Sequence, residues 1–171
     1  NTTDSNSVAV SLGSNLPYLN RSPREIVLAA IQSLRSISIE AEASSLYLSE
    51  PIDCPLGTGD FINAAMILRL SSKISASELL AVLQGIEADY GRARSAEQNQ
   101  ARTLDIDIIS YGNQVLESAH LILPHPRAAQ RRFVLMPLVE IHPEMVLPGQ
   151  SENIAQLLDL LPRIENVHLL A

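Results

Sequence analysis

Apolar and polar positions along this chain switch between two periods, and the switches mark its elements. VAVSLGS (8–14) is a short apolar run ending in Gly-Ser-Asn, which predicts a strand and then a turn. Ser22-Pro23 predicts a helix start, with Ser22 as N-cap, Pro23 in the first position and Glu25 three residues after the cap. Ile26, Ala30, Ile31 and Leu34 keep helical spacing to about Ser36. Residues 37–48 read as a strand, and the Pro- and Gly-rich stretch 50–60 as a loop. Phe61 to Leu70 predicts the next strand, antiparallel to its predecessor. A second helix is predicted from Ser77-Glu78, with Leu79, Leu80, Leu83 and Ile86 on its core face and an end near Tyr90-Gly91. A polar loop, 92–101, leads into RTLDIDII (102–109), another strand, and Gly112-Asn113 turns the chain back. LPHPR (123–127) reads as a short strand, Phe133 to Ile141 as helical, and about Ser151 to Leu161 as a last helix.

The order β-α-β-β-α-β predicts an α+β fold with a ferredoxin-like βαββαβ core: one antiparallel sheet carrying two helices on one face. The later helices are free to cover the other face, so helices on both faces are expected. The chain of 171 residues is read as a single domain, 1–171, with 1–7 expected to be flexible. No apolar run reaches the ~18 residues of a membrane span. The lone Cys54 excludes an internal disulfide and suits a reducing cytoplasm. The start is polar and lacks Met, as expected of a processed, trimmed or tagged chain.

Candidate chemistry enters at 102–109. Asp105 and Asp107 are two apart on a predicted strand, so both carboxylates leave one face, roughly 6–7 Å apart, while Leu104, Ile106 and Ile108 fill the other. Two like charges side by side repel. A hard divalent cation such as Mg²⁺ relieves that repulsion and brings phosphate with it. The surroundings are rich in arginine. Six of the chain's eleven Arg lie between 92 and 132, against four acids, so this window is +2 while the chain is −7. A basic window in an acidic protein indicates a local anion site, not a nucleic-acid footprint. Arg in place of Lys suits planar, bidentate recognition of phosphate. The two long loops, each preceding a polar strand, read as lids.

Six segments in order carry a resemblance: SLGSN (11–15), Tyr47 with Ser49-Glu50-Pro51, DFINAA (60–65), IEADYGRAR (86–94), RTLDIDII (102–109) and LPHPRAAQRRFVLMPLVEIHP (123–143). From Val8 to about Pro148 the chain resembles the 6-hydroxymethyl-7,8-dihydropterin pyrophosphokinase family. The resemblance implies transfer of a pyrophosphoryl group from ATP, as co-substrate, to the pterin hydroxymethyl oxygen, with release of AMP, in folate biosynthesis. It implies that Asp105 and Asp107 hold two Mg²⁺ ions and that Arg92 and Arg94 are mobile-loop arginines at the reaction. Arg102 and Arg131 match phosphate contacts, and Gln84, Glu87, Ile108 and His125 match nucleotide-side positions. Phe61 and Phe133 match two rings that sandwich the pterin, Asn63 a reader of its amide edge, and Ser49 and Pro51 further lining.

Two readings from other directions remain open on the residues. One is a different two-Asp metal nucleotidyl transferase on a ferredoxin-like sheet; the other is a non-catalytic nucleotide-binding module. The expected partners are small molecules, with neither nucleic acid nor membrane. A monomer is expected, with a place inside a multifunctional folate-pathway chain left open.

Overall fold

The computed structural model describes residues 4–70, 73–92 and 102–170. The predicted loop 92–101, with Arg94, lies outside the described residues apart from Arg92. The chain runs β1 (Ser7–Ser14), α1 (Pro23–Ser36), β2 (Ser38–Ala43), β3 (Tyr47–Ser49), β4 (Phe61–Leu70), α2 (Ala76–Asp89) and β5 (Asp105–Tyr111). A small hairpin follows, β6 (Leu116–Glu117) and β7 (Ile122–Leu123). A 3₁₀ turn (Ala128–Gln130), α3 (Arg132–Ile141), α4 (Ile154–Leu160) and β8 (Val167–Leu169) complete it.

β1 pairs along its full length with β4 at the centre of an antiparallel sheet of order β5-β1-β4-β3-β8, with β2 also paired to β4. Period-two alternation then sends side chains to two separate cores. Val8, Val10 and Leu12 of β1, Ala64, Met66 and Leu68 of β4, and Ile106 and Ile108 of β5 pack against Ile26, Ala30 and Leu34 of α1 and Leu79 and Leu83 of α2. The other parity, Ala9, Ala65 and Ile109, packs under α3 and α4 against Val134, Leu135, Leu138, Ile154 and Leu157. Helices thus cover both faces, as the pattern predicts. The second face is covered over only part of its length, and the strand ends left beside α3 form a cleft.

Local chemistry explains the boundaries. Ser22 accepts the Glu25 N–H while Glu25 Oε2 takes the Ser22 N–H at 2.8 Å, a complete capping box where one was predicted. α2 starts one residue before its predicted position, at Ala76, because its box is Ser75 with Glu78. α4 is shorter than predicted and starts after Asn153, whose side chain and Gln156 form the same motif. The predicted strand 37–48 is broken into β2 and β3. At the break Ser44 Oγ accepts the Ala65 N–H at 2.9 Å, so a side chain replaces a ladder carbonyl. LPHPR is not a strand beyond Leu123. Pro124 and Pro126 have no N–H to give a ladder, and His125 instead bends the chain, its N–H bound to Ile109 O at 2.8 Å. β6 and β8 were not predicted; two- and three-residue strands carry too little pattern to read.

Candidate active site

β5 presents Asp105 and Asp107 on the face shared with Ser11 and Gly13, their direct neighbours on β1. Across the next strand Gly13 faces Asn63, which in turn faces Tyr47; Phe61 faces Ser49. One row of a pleated sheet therefore runs from the acidic pair to the aromatic end of β4. A cleft of about 340 Å³ lies over this row. Arg102, Arg127, Arg131 and Phe133 also line it, as do Glu50, Ile52, Asp53 and Cys54. Gly13 keeps the floor low: a Cβ there would come within 3.4 Å of Asn63 Oδ1 and 3.8 Å of Phe61 Cδ1.

The two carboxylates have opposite surroundings. Asp105 is 20% exposed and sits between two guanidiniums, Arg92 on Oδ1 and Arg102 on Oδ2, each at 2.5 Å. Burial pushes its carboxyl up, but Arg102 and Arg92 outweigh it and hold it below the usual range. Asp107 is pushed up to about 7, by burial first and then by the charge of Asp105, against the weaker pull of Arg102, Arg131 and Arg92. The repulsion expected from the spacing is therefore present, but arginines relieve it at Asp105 and proton uptake relieves it at Asp107.

This has a measurable consequence for the metal-free protein. An acid whose folded pKa is raised keeps its proton more tightly when folded. Its contribution to stability is fully present below the unfolded value of 3.8 and is lost as pH rises towards about 7. Asp107→Asn removes that loss. Urea unfolding in chelator is expected to show a smaller fall in stability between about pH 4 and pH 7 for the variant than for the parent. The same slope in both proteins would contradict the account of Asp107.

The arginines are fixed from behind. Asn15, at the end of β1, takes the Arg102 N–H on Oδ1 at 2.7 Å and gives its amide to Gly59 O at 3.2 Å. It ties the Asp strand to the 50–60 loop. Arg92 also pairs with Glu87, which is 5% exposed on α2. Its neighbour Gly91 has φ +78°, and a Cβ there would collide with the Tyr18 ring. On the opposite wall, Arg131 lies over the Phe133 ring, 5.4 Å from its centroid. Asn63, 3% exposed, gives its amide to Ser49 Oγ at 2.7 Å. Glu140 of α3 takes hydrogen bonds from Tyr47 Oη at 2.7 Å and from Ser45 Oγ at 2.7 Å, bracing β3 against α3.

Most of the predicted site converges. Asp105, Asp107, Arg102, Arg131, Ser49, Phe61, Asn63 and Phe133 line the cleft, and Arg92 joins it through Asp105. Pro51 is half-buried beside Glu50 and Ile52, which do line it. The Ile108 side chain points the other way, buried in the first core. Gln84 is half-buried on α2. His125 sits behind the wall: its Nδ1 accepts the Arg127 N–H at 3.1 Å, and burial followed by the charge of Arg131 holds its pKa below the ordinary value. Sequence reasoning missed Asn15, Gly13, Glu140 and Glu165. Gly13 was within reach, since it shares the parity of Ser11 in SLGSN; the two glutamates are brought in by long-range contacts that leave no local signal.

Among the described residues no third His, Cys, Asp or Glu joins the pair to complete a metal cage. Two carboxylates with open space beside them fit Mg²⁺, which takes one or two carboxylates and fills its octahedron with water and substrate phosphates.

Comparison with known proteins gives the family. Residues 9–143 match the family model for 7,8-dihydro-6-hydroxymethylpterin-pyrophosphokinase. A 2-amino-4-hydroxy-6-hydroxymethyldihydropteridine pyrophosphokinase of Synechocystis is 40% identical over 88% of this chain and 73% of its own. A Haemophilus influenzae protein of the same name is 36% identical over 83% and 85%. The folic acid synthesis protein fol1 of Pneumocystis carinii is 36% identical over 91% of this chain, which spans only 20% of that protein. Among solved structures, a Plasmodium falciparum HPPK-DHPS with pteroate superposes with a TM-score of 0.66 over 90% of this chain and 43% of its own; at 14% identity it supports the fold alone. The chain belongs to the 7,8-dihydro-6-hydroxymethylpterin-pyrophosphokinase family.

Proposed function

We infer that this pyrophosphokinase of folate biosynthesis joins the hydroxymethyl oxygen of 6-hydroxymethyl-7,8-dihydropterin to the β-phosphorus of ATP. The bond from that phosphorus to the α-phosphate bridging oxygen breaks, AMP leaves, and the hydroxyl proton passes to solvent. The observation that carries the reading is one cleft holding an acidic pair, an arginine wall and two phenylalanines, in a chain of this family. Asp105 and Asp107 are the residues to hold two Mg²⁺ ions, which when bound supply neutralisation of the phosphate oxygens. Arg102 and Arg131 clamp the phosphates as planar donors. Phe61 and Phe133 stack the pterin, and Asn63, braced by Ser49, reads its edge. The attacking group belongs to the substrate, so the chain's contribution is position and charge. A rival two-Asp transferase leaves two rings and a buried Asn at one slot without a role. The longer folate-synthesis relatives make a place within a multifunctional chain a further part of the proposal.

Metal dependence tests the reading. AMP release from ATP and the pterin is expected to stop in excess chelator and return with added Mg²⁺; release that persists in chelator would contradict it. Arg92 adds a second expectation. It is held on Asp105 and Glu87, the place of a cation in a charge network. With Asp105 engaged elsewhere, Arg92 becomes free to turn to the reacting phosphates. Arg92→Ala is expected to lower kcat by roughly 10²-fold while ground-state ATP affinity changes little. Intact kcat with greatly weakened ATP binding would make it a ground-state anchor instead.

A further inference from the structure

The wall bearing Arg131 and Phe133 is the first turn of α3, and that turn is unusually placed. The helix opens Arg131-Arg132-Phe133, its N-cap side chain makes no capping hydrogen bond, and its first turn holds no acid. Cations are unfavourable at a helix N-terminus, where free N–H groups make the end positive. The missing acceptor arrives from elsewhere. Glu165 Oε2 takes the Arg132 N–H at 2.9 Å, and Glu165 itself lines the cleft beside Phe133. It comes from the segment before β8, well beyond the 9–143 matched by the family model.

That segment is itself anchored to the opposite wall. Glu50 N–H bonds Asn166 O and Asn166 Nδ2 bonds Glu50 Oε1, both at 3.3 Å. Val167 pairs with Ser49, the residue that holds Asn63. The chain from Glu165 to Val167 therefore spans the two walls: one end caps α3, the other lies on β3. We propose that Glu165 is a positioning residue for the pterin slot, capping α3 in trans of its own sequence so that Phe133 stands at a set distance from Asn63 and Phe61. It acts through Phe133. The inference rests on the slot reading above.

Calorimetric titration of the pterin, with the non-hydrolysable nucleotide present, tests it on the full chain. Glu165→Ala is expected to weaken pterin affinity about fivefold, the equivalent of one lost helix cap. Glu165→Asp keeps the charge but shortens the reach, so it is expected to weaken binding similarly and guards against an alanine variant that does not fold. Glu165→Gln keeps an acceptor at full reach and is expected to restore most of the affinity. Nucleotide affinity without pterin should stay within about twofold in all three. In the double variant with Phe133→Ala, removing Glu165 should add almost nothing to the loss from Phe133→Ala alone. Unchanged pterin affinity in the Ala and Asp variants, or fully additive losses in the double variant, would overturn the positioning role. No effect of Phe133→Ala by itself would instead remove the slot reading, and this inference with it.

Discussion

Asp107→Ala is expected to cut turnover by roughly 10²–10³-fold or more at saturating Mg²⁺, and Asp105→Ala by at least as much. Both carboxylates face the cleft, and charge neutralisation is the main thing a protein can offer in phosphoryl-type transfer. The two variants should part company in stability. Asp105 carries two arginine hydrogen bonds at 2.5 Å, so its removal takes that acceptor from Arg102 and leaves Arg92 to Glu87, at a cost of about 1–3 kcal/mol. Asp107 is penalised by burial and by its neighbour's charge, so its removal should leave the metal-free protein as stable or more so at pH 7. Spacing alone suggests that removing either acid relieves repulsion; the arginine pair makes that true only of Asp107. Steady-state kinetics with parallel urea unfolding checks both halves. Near-normal turnover in either variant would remove the metal assignment.

Phe133→Ala and Phe61→Ala are each expected to weaken pterin binding at least tenfold, about 1.4 kcal/mol. Both rings are half-buried and line the cleft. A fully buried Phe truncated to Ala costs ~3–5 kcal/mol of stability; rings on a cleft wall should cost less, because water already reaches them. Nucleotide binding without pterin should be nearly unchanged. Asn63→Ala should weaken the pterin too, since stacking alone does not tell one flat heterocycle from another. Calorimetry on the folded variants decides: a large stability loss with unchanged pterin affinity would return both rings to the core.

The residues that were legible in the chain are those whose role follows from local period. Asp105 and Asp107 share a face because a strand repeats every two residues, and β5 places them so. The Ser22–Glu25 box and the exact span of β4 were readable for the same reason. What escaped reading depends on contacts far apart in sequence. Glu87 was expected at the nucleotide side, yet it lies buried on α2 and paired with Arg92. Ser44 interrupts a strand because Ala65 needs an acceptor, and Glu140 and Glu165 brace the cleft from α3 and the β8 segment. Arg131 and Phe133 look like two separate signals in the sequence; in three dimensions one lies over the other.

The most direct measurement of the central claim is the identity of the products. Phosphorus NMR of ATP, Mg²⁺, 6-hydroxymethyl-7,8-dihydropterin and the full chain should show pterin diphosphate and AMP rising together in equal amounts, with neither formed when the pterin is omitted. Formation of ADP in place of AMP, or AMP with free pyrophosphate and no pterin diphosphate, would contradict the account.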